Sequence, residues 1–287
     1  MTRFDDLIDV GDLKLILPSG SCRVIDTRFD LSDAQKGQAA YLAGHIPGAS
    51  FAHLDDDLAG EINVDSGRHP LPDVGEFIKK LRSWGVRNDS MVVVYDYGNG
   101  SLAVRLWWML KFWLGHEQVA VLDGGIAAWI AQGGSLESGP RDADKGDFSA
   151  IPDASVVATT DEIALAVETG KVIHLIDARD AARFRGEVEP IDPVAGHVPG
   201  ARNLPLGVSL DEGGLWRSPE ALRKTWLEFL AEAPENPPVV MCGSGVTACH
   251  LVLSARLAGL PTPRVYVGSW SEWIRDESRP VEVEKPA

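Results

Sequence analysis

"YLAGHIPGASFAHL", residues 41–54, is answered 152 positions later by "PVAGHVPGARNLPL", residues 193–206. Working outward, "VIDTRFD" at 24–30 is echoed by "LIDARDAARF" at 175–184. "MVVVYDYGNGSLAVRLWWML" at 91–110 lines up with "PVVMCGSGVTACHLVLSARL" at 238–257, and "VLDGGIAAW" at 121–129 with "VYVGSWSEW" at 265–273. Four blocks recur in one order with a period of about 150 residues, far beyond a solenoid repeat, so the chain reads as a duplicated domain. The stretch "SGPRDADKGDFSAIPDAS" between the copies is polar and broken by Pro and Gly, as a linker is. The expected boundaries are 1–138 for the first domain, 139–157 for the linker and 158–287 for the second. Within each copy, short β-branched runs ("CRVIDT", "VVVY", "VAVLDG"; "VIHLIDA", "PPVVMC", "PRVYVG") alternate with amphipathic stretches such as "GEFIKKLRSWGV" and "PEALRKTWLEFLAE". That alternation implies an α/β fold, a mainly parallel sheet flanked by helices in each copy.

The bulk numbers narrow the partners. With 287 residues and 45% hydrophobic content the chain can fill two cores, and its formal charge of -15 disfavours nucleic acid and anionic membrane. The first thirty residues carry no secretory pattern, and "LWWMLKFWL" is too short and too interrupted by Lys111 to span a bilayer. Cys22, Cys242 and Cys249 fit neither a zinc site nor a disulfide framework, so the expected compartment is the cytoplasm and no metal or cofactor is implied.

One cysteine stands apart. Val239, Val240 and Met241 read as a buried strand and Ala248 onward as a helix, which puts Cys242 at a strand-to-helix turn, where open sheets gather ligands. A free thiol titrates near pH 8.5, and bringing one down to about 6.5 takes about 2.7 kcal/mol. A helix N-terminus supplies about 0.3–1 kcal/mol, up to about 2 when partly buried, so converging backbone donors are needed as well. Gly243 and Gly245 can take positive φ and turn the N–H groups of residues 243–248, including Val246 and Thr247, around the sulfur as an anion-binding nest. The hydroxyls of Ser244 and Thr247 are further donors. A phosphatase cradle would carry Arg six positions after its cysteine, where this chain has Ala248.

These residues resemble the rhodanese and 3-mercaptopyruvate sulfurtransferase family. "CGSGVTA" looks like the mercaptopyruvate-type active loop, "GHIPGA" and "GHVPGA" like the family's repeated element, and "GSWSEW" like its C-terminal signature. The likeness runs from about residue 8 to 280 and implies two tandem rhodanese-like domains with chemistry only in the second. In the first copy Asp96 takes the place of Cys242, and a carboxylate cannot accept sulfane sulfur. The resemblance implies that Cys242 takes sulfur from a small anionic donor, 3-mercaptopyruvate or thiosulfate, as a persulfide, and passes it to cyanide, a thiol or a thioredoxin-like acceptor. Arg183 matches the family's substrate arginine. The second substrate arginine of mercaptopyruvate enzymes has no counterpart, its position falling at Ile191 in "EVEPIDPV". Ser244, His69 and Asp55 match a proposed serine, histidine and aspartate relay. The competing reading is a non-catalytic rhodanese-type binding module.

Other residues read as structural. Arg179 is expected to pair with Asp177, and Arg185 to be solvated. His45 and His197 recur in both copies and are expected to tie turns. Cys249 and the Trp107, Trp108 and Trp113 group are expected in the core, while Trp270 and Trp273 are candidates for a wall of the site.

Overall fold

The computed structural model describes residues 6–171, 173–230 and 237–284. The chain forms two compact units, one of residues 1–60, 71–153 and 211–216, the other of residues 61–70, 154–210 and 217–287.

The first unit holds five parallel strands, β1 (Leu7–Ile8), β2 (Cys22–Asp26), β3 (Ala49–Phe51), β4 (Met91–Tyr95) and β5 (Val119–Leu122), in the order β1-β5-β4-β2-β3. The second repeats it with β6 (Val157–Ala158), β7 (Leu175–Asp177), β8 (Arg202–Asn203), β9 (Val239–Met241) and β10 (Arg264–Tyr266), ordered β6-β10-β9-β7-β8. Central strands are buried along their length, as continuous apolar runs covered on both faces must be: Val92, Val93 and Val94 in β4, and Val239, Val240 and Met241 in β9.

The amphipathic stretches are helices. Val74–Ser83 is capped by Asp73, whose carboxylate accepts the Glu76 N–H, and it buries Phe77 and Leu81 one turn apart. Pro219–Leu230 buries Leu222, Trp226 and Leu230 at the same spacing; the last two residues of "PEALRKTWLEFLAE" lie outside the described residues. Trp107, Trp108 and Trp113 are buried, as expected. Among the described residues no helix is long and apolar enough to cross a membrane.

The duplication extends to buried polar detail. Arg28 grips Asp26 and donates to the Gly44 carbonyl at 2.8 Å; Arg179 grips Asp177 and donates to the Gly196 carbonyl at 2.7 Å. Each guanidinium is satisfied by its carboxylate and a carbonyl, the condition for burying such a pair. His45 stacks on Tyr41 and His197 on Phe184, with each Nδ1 2.8 Å from the main-chain carbonyl oxygen of the residue it stacks on. These histidines and Arg179 therefore serve the fold.

Candidate active site

In the second unit β7 and β8 run to one side and β9 and β10 to the other, so the ends of β7 and β9 meet where the strand order reverses. Cys242 is the first residue beyond β9 and is 2% exposed. The loop of residues 243–247 carries the chain into the helix Ala248–Leu257.

The segment after β10 fixes this loop. The Cys242 N–H donates to Ser269 Oγ at 3.1 Å, and that hydroxyl donates to the Tyr266 carbonyl at 2.8 Å. Trp270 N–H donates to the Cys242 carbonyl at 3.1 Å and Ser271 N–H to the Gly243 carbonyl at 2.9 Å. Ser269 sits at φ 53°, the one non-glycine described with positive φ. That strained conformation is held because its hydroxyl joins two buried backbone groups.

The two glycines are required for different reasons. Gly245 has φ 73°, and a Cβ there would meet the Val267 carbonyl oxygen at 2.3 Å. Gly243 was expected to take positive φ and does not. Its requirement is space: a Cβ would lie 2.8 Å from Arg68 Nη2 and 3.7 Å from Arg183 Nη2. Two guanidinium groups thus converge on the peptide beside the cysteine.

Residues 66–69 are held against the segment after β10: Arg68 N–H donates to Ser271 Oγ at 3.0 Å, and Arg275 Nε donates to the Ser66 carbonyl at 3.1 Å. This brings the buried His69 imidazole to the loop, with Nδ1 2.7 Å from Ser244 Oγ. Asp55 belongs to the first unit, on the short helix Leu54–Asp57. Thr247 begins the helix without a side-chain capping bond, and Val246 is buried in the loop.

Arg183, on the short helix Ala181–Phe184, donates through Nε and Nη2 to Glu189 and through Nη2 to Asp192 at 3.1 Å. Arg68 Nη1 pairs with the other oxygen of Asp192. Burial pushes the Asp192 carboxyl above the usual carboxylate range in spite of Arg68 and Arg183. Burial opposes the charge of Glu189 too, but Arg183 and the N–H groups of Asp192 and Ile191 hold it below its ordinary value.

Sequence reasoning missed Arg68, Glu189 and Asp192. Arg68 stood next to His69 in "SGRHPLP", and both acids lay in the stretch inspected for a second arginine. Ile191 is 43% exposed. Arg185 pairs with Glu187 at the surface, as expected. Cys249 is in the core, its thiol 3.5 Å from the Gly245 carbonyl. Trp270 and Trp273 are fully buried core residues and form no wall; Arg179 lies over the Trp270 ring at 4.8 Å.

The first unit carries the same loop with an acid at its head. Asp96 follows β4, its carbonyl accepts the Ile126 N–H at 3.0 Å, and Gly125 stands at φ 53° where the second unit has Ser269. Its carboxylate accepts the N–H groups of Gly98, Gly100, Leu102 and Ala103 at 2.9–3.3 Å. The loop is therefore a nest that closes on one anion.

Known proteins share this fold. The profile of the Rhodanese-like domain matches residues 9–132 and 159–276. A Pseudomonas aeruginosa protein named "Probable 3-mercaptopyruvate sulfurtransferase" is 48% identical over 278 residues, covering 96% of this chain and 97% of that one. The thiosulfate sulfurtransferase of Cricetulus griseus is 35% identical over 259 residues, covering 88% and 84%. The crystal structure of SseA from Escherichia coli, described as a 3-mercaptopyruvate sulfotransferase, superposes with a TM-score of 0.81 at 32% identity, covering 93% of this chain and 100% of that one. With its duplicated parallel sheet and a cysteine-headed loop in the second copy only, the chain belongs to the rhodanese family.

Proposed function

We propose that the chain is a sulfurtransferase that carries sulfane sulfur on Cys242, with 3-mercaptopyruvate as donor. The observation that carries this reading is the buried cysteine at the head of its loop, with the Ser244–His69 hydrogen bond and two guanidinium groups beside it. The Cys242 thiolate attacks the donor sulfur, and the carbon–sulfur bond breaks with its electron pair going to carbon. Ser244 delivers a proton to the leaving enolate from His69, giving pyruvate and a Cys242 persulfide. A thiolate, cyanide or a thioredoxin-like acceptor then takes the outer sulfur and restores the thiolate.

Arg183 and Arg68 receive the anionic end of the donor. Glu189 and Asp192 hold the two forks in place, so little side-chain entropy is lost on binding. Thiosulfate is the competing donor, favoured by the likeness to thiosulfate sulfurtransferase. Its sulfur transfer releases sulfite and needs no proton. Domain boundaries at 1–138 and 158–287 along the sequence and a cytoplasmic setting belong to the same reading, the latter supported by three buried cysteines that form no disulfide among the described residues. Incubation with each donor followed by intact-mass measurement tests the proposal. A gain of one sulfur, removed by cyanide and absent in Cys242→Ser, is expected; a gain that persists in that variant refutes the carrier.

A further inference from the structure

A second feature of the first unit has no part in the chemistry above. At the start of β2, at the end of the sheet opposite the Asp96 loop, lies an open cavity of about 590 Å³, within the range of small-molecule pockets. Lys14, Arg23 and Arg141 line it together with Trp129, Pro47 and Cys22.

All three cations are held by carbonyl oxygens. Lys14 Nζ donates to the Gln132 carbonyl at 2.6 Å, Arg23 Nε to the Gly85 carbonyl at 2.8 Å and Nη1 to the Gly20 carbonyl at 2.6 Å, and Arg141 Nη1 to the Gly48 carbonyl. Among the described residues no carboxylate lies within ion-pair distance of any of them. Carbonyls fix the position of these cations without cancelling their charge. Burial, then the Arg23 charge, lowers the Arg141 pKa, while Tyr41, Glu137 and Asp144 oppose the shift. In a chain of net charge -15, three cations that face one cavity with no carboxylate at ion-pair distance among the described residues are an arrangement that an anion would complete.

The remaining wall is apolar. Trp129 fixes its indole by donating to the Ser135 carbonyl at 2.8 Å, and Gly134 lets the loop close on the ring, since a Cβ there would come within 2.2 Å of it. The Cys22 thiol, pushed up to about 12 by burial, stays uncharged at neutral pH and adds no competing anion. We infer that this cavity is a binding site for a small organic monoanion with a flat apolar body, the charge seated between Arg23, Arg141 and Lys14 and the body against Trp129 and Pro47. The inference is independent of the reading of Cys242.

The probe is 1-anilinonaphthalene-8-sulfonate, titrated into the full chain and followed by fluorescence. One saturable site is expected. Its dissociation constant should rise at least about fivefold in Arg141→Gln, which loses a charge-assisted contact, and about two- to threefold in Lys14→Gln. The Cys242→Ser variant should bind the dye as the parent does, and Arg141→Gln should transfer sulfur at the parent rate. Should Arg141→Gln melt below the parent, the exposed Lys14→Gln carries the comparison. No saturable binding, affinity indifferent to both substitutions, or equally tight binding of the neutral analogue N-phenyl-1-naphthylamine would each overturn the site. Displacement of the dye by inorganic sulfate at equal concentration would overturn the apolar half of the recognition.

Discussion

After β4 the first unit folds its loop around a carboxylate that belongs to the chain; after β9 the second unit presents a cysteine at the same place. The frames match: Ile126 and Trp270 each donate to the carbonyl of the head residue, and Gly125 and Ser269 share a φ of 53°. The Asp96 carboxylate uses four N–H groups and leaves nothing for a ligand to do. A single sulfur is larger, has one attachment point and can bond to a second sulfur. The comparison teaches that the backbone frame of the loop is a property of the fold, and that the head residue decides whether it serves stability or chemistry.

The comparison breaks most sharply at the heads themselves. Cys242→Ser should lose all measurable turnover with either donor, while Asp96→Cys placed in that Cys242→Ser background should gain no sulfur by intact mass, because guanidinium and imidazole groups are gathered around Cys242. Loading of that new thiol would show that the nest alone suffices. Asp96→Ala, stripping four buried N–H groups of their acceptor, should lower the unfolding free energy by about 2–4 kcal/mol in urea titration. An unchanged midpoint would contradict the anion-closing role.

The next effect separates the donors. Ser244→Ala and His69→Ala should each slow turnover with mercaptopyruvate about a hundredfold, the usual worth of a positioned general acid, and leave thiosulfate turnover within about threefold. Equal losses with both donors would make the pair a scaffold for the loop.

Arg68→Ala follows. It should raise the KM for either donor about tenfold or more, as loss of a charge-assisted contact does, with kcat little changed. A KM within twofold of the parent would remove Arg68 from donor recognition. The smallest effect concerns Asp192. Its carboxyl protonates above the ordinary carboxylate range, so acidification from neutral pH toward that range progressively removes a countercharge from Arg68 and Arg183. The KM for thiosulfate, which stays a dianion over this interval, should fall about two- to threefold, and Asp192→Asn should flatten the profile. A KM that rises as pH falls would reverse the assignment.

Much of this was legible in the sequence because it is local or repeated. Duplicated blocks gave the two units, β-branched runs gave the central strands, and the strand-to-glycine junction exposed Cys242. Arg179 could be read as structural because its partner is two residues away. The Arg68–Asp192 pair spans 124 positions and has no local signature. Gly243 was misread since glycine records either a positive φ or a close approach, and the letter alone does not say which. Ser269 was missed because its strain is imposed by contacts of the folded chain.

Residues 61–70 belong to the unit that carries Cys242 although the chain returns to the other unit at residue 71. The two halves of the gene are therefore not the two halves of the molecule. A fragment beginning at the linker would contain the sulfur-bearing loop yet lack His69 and Arg68, and on the ribosome these two emerge well over a hundred residues before the groups they meet. The second unit cannot finish assembling until nearly the whole polypeptide has been made.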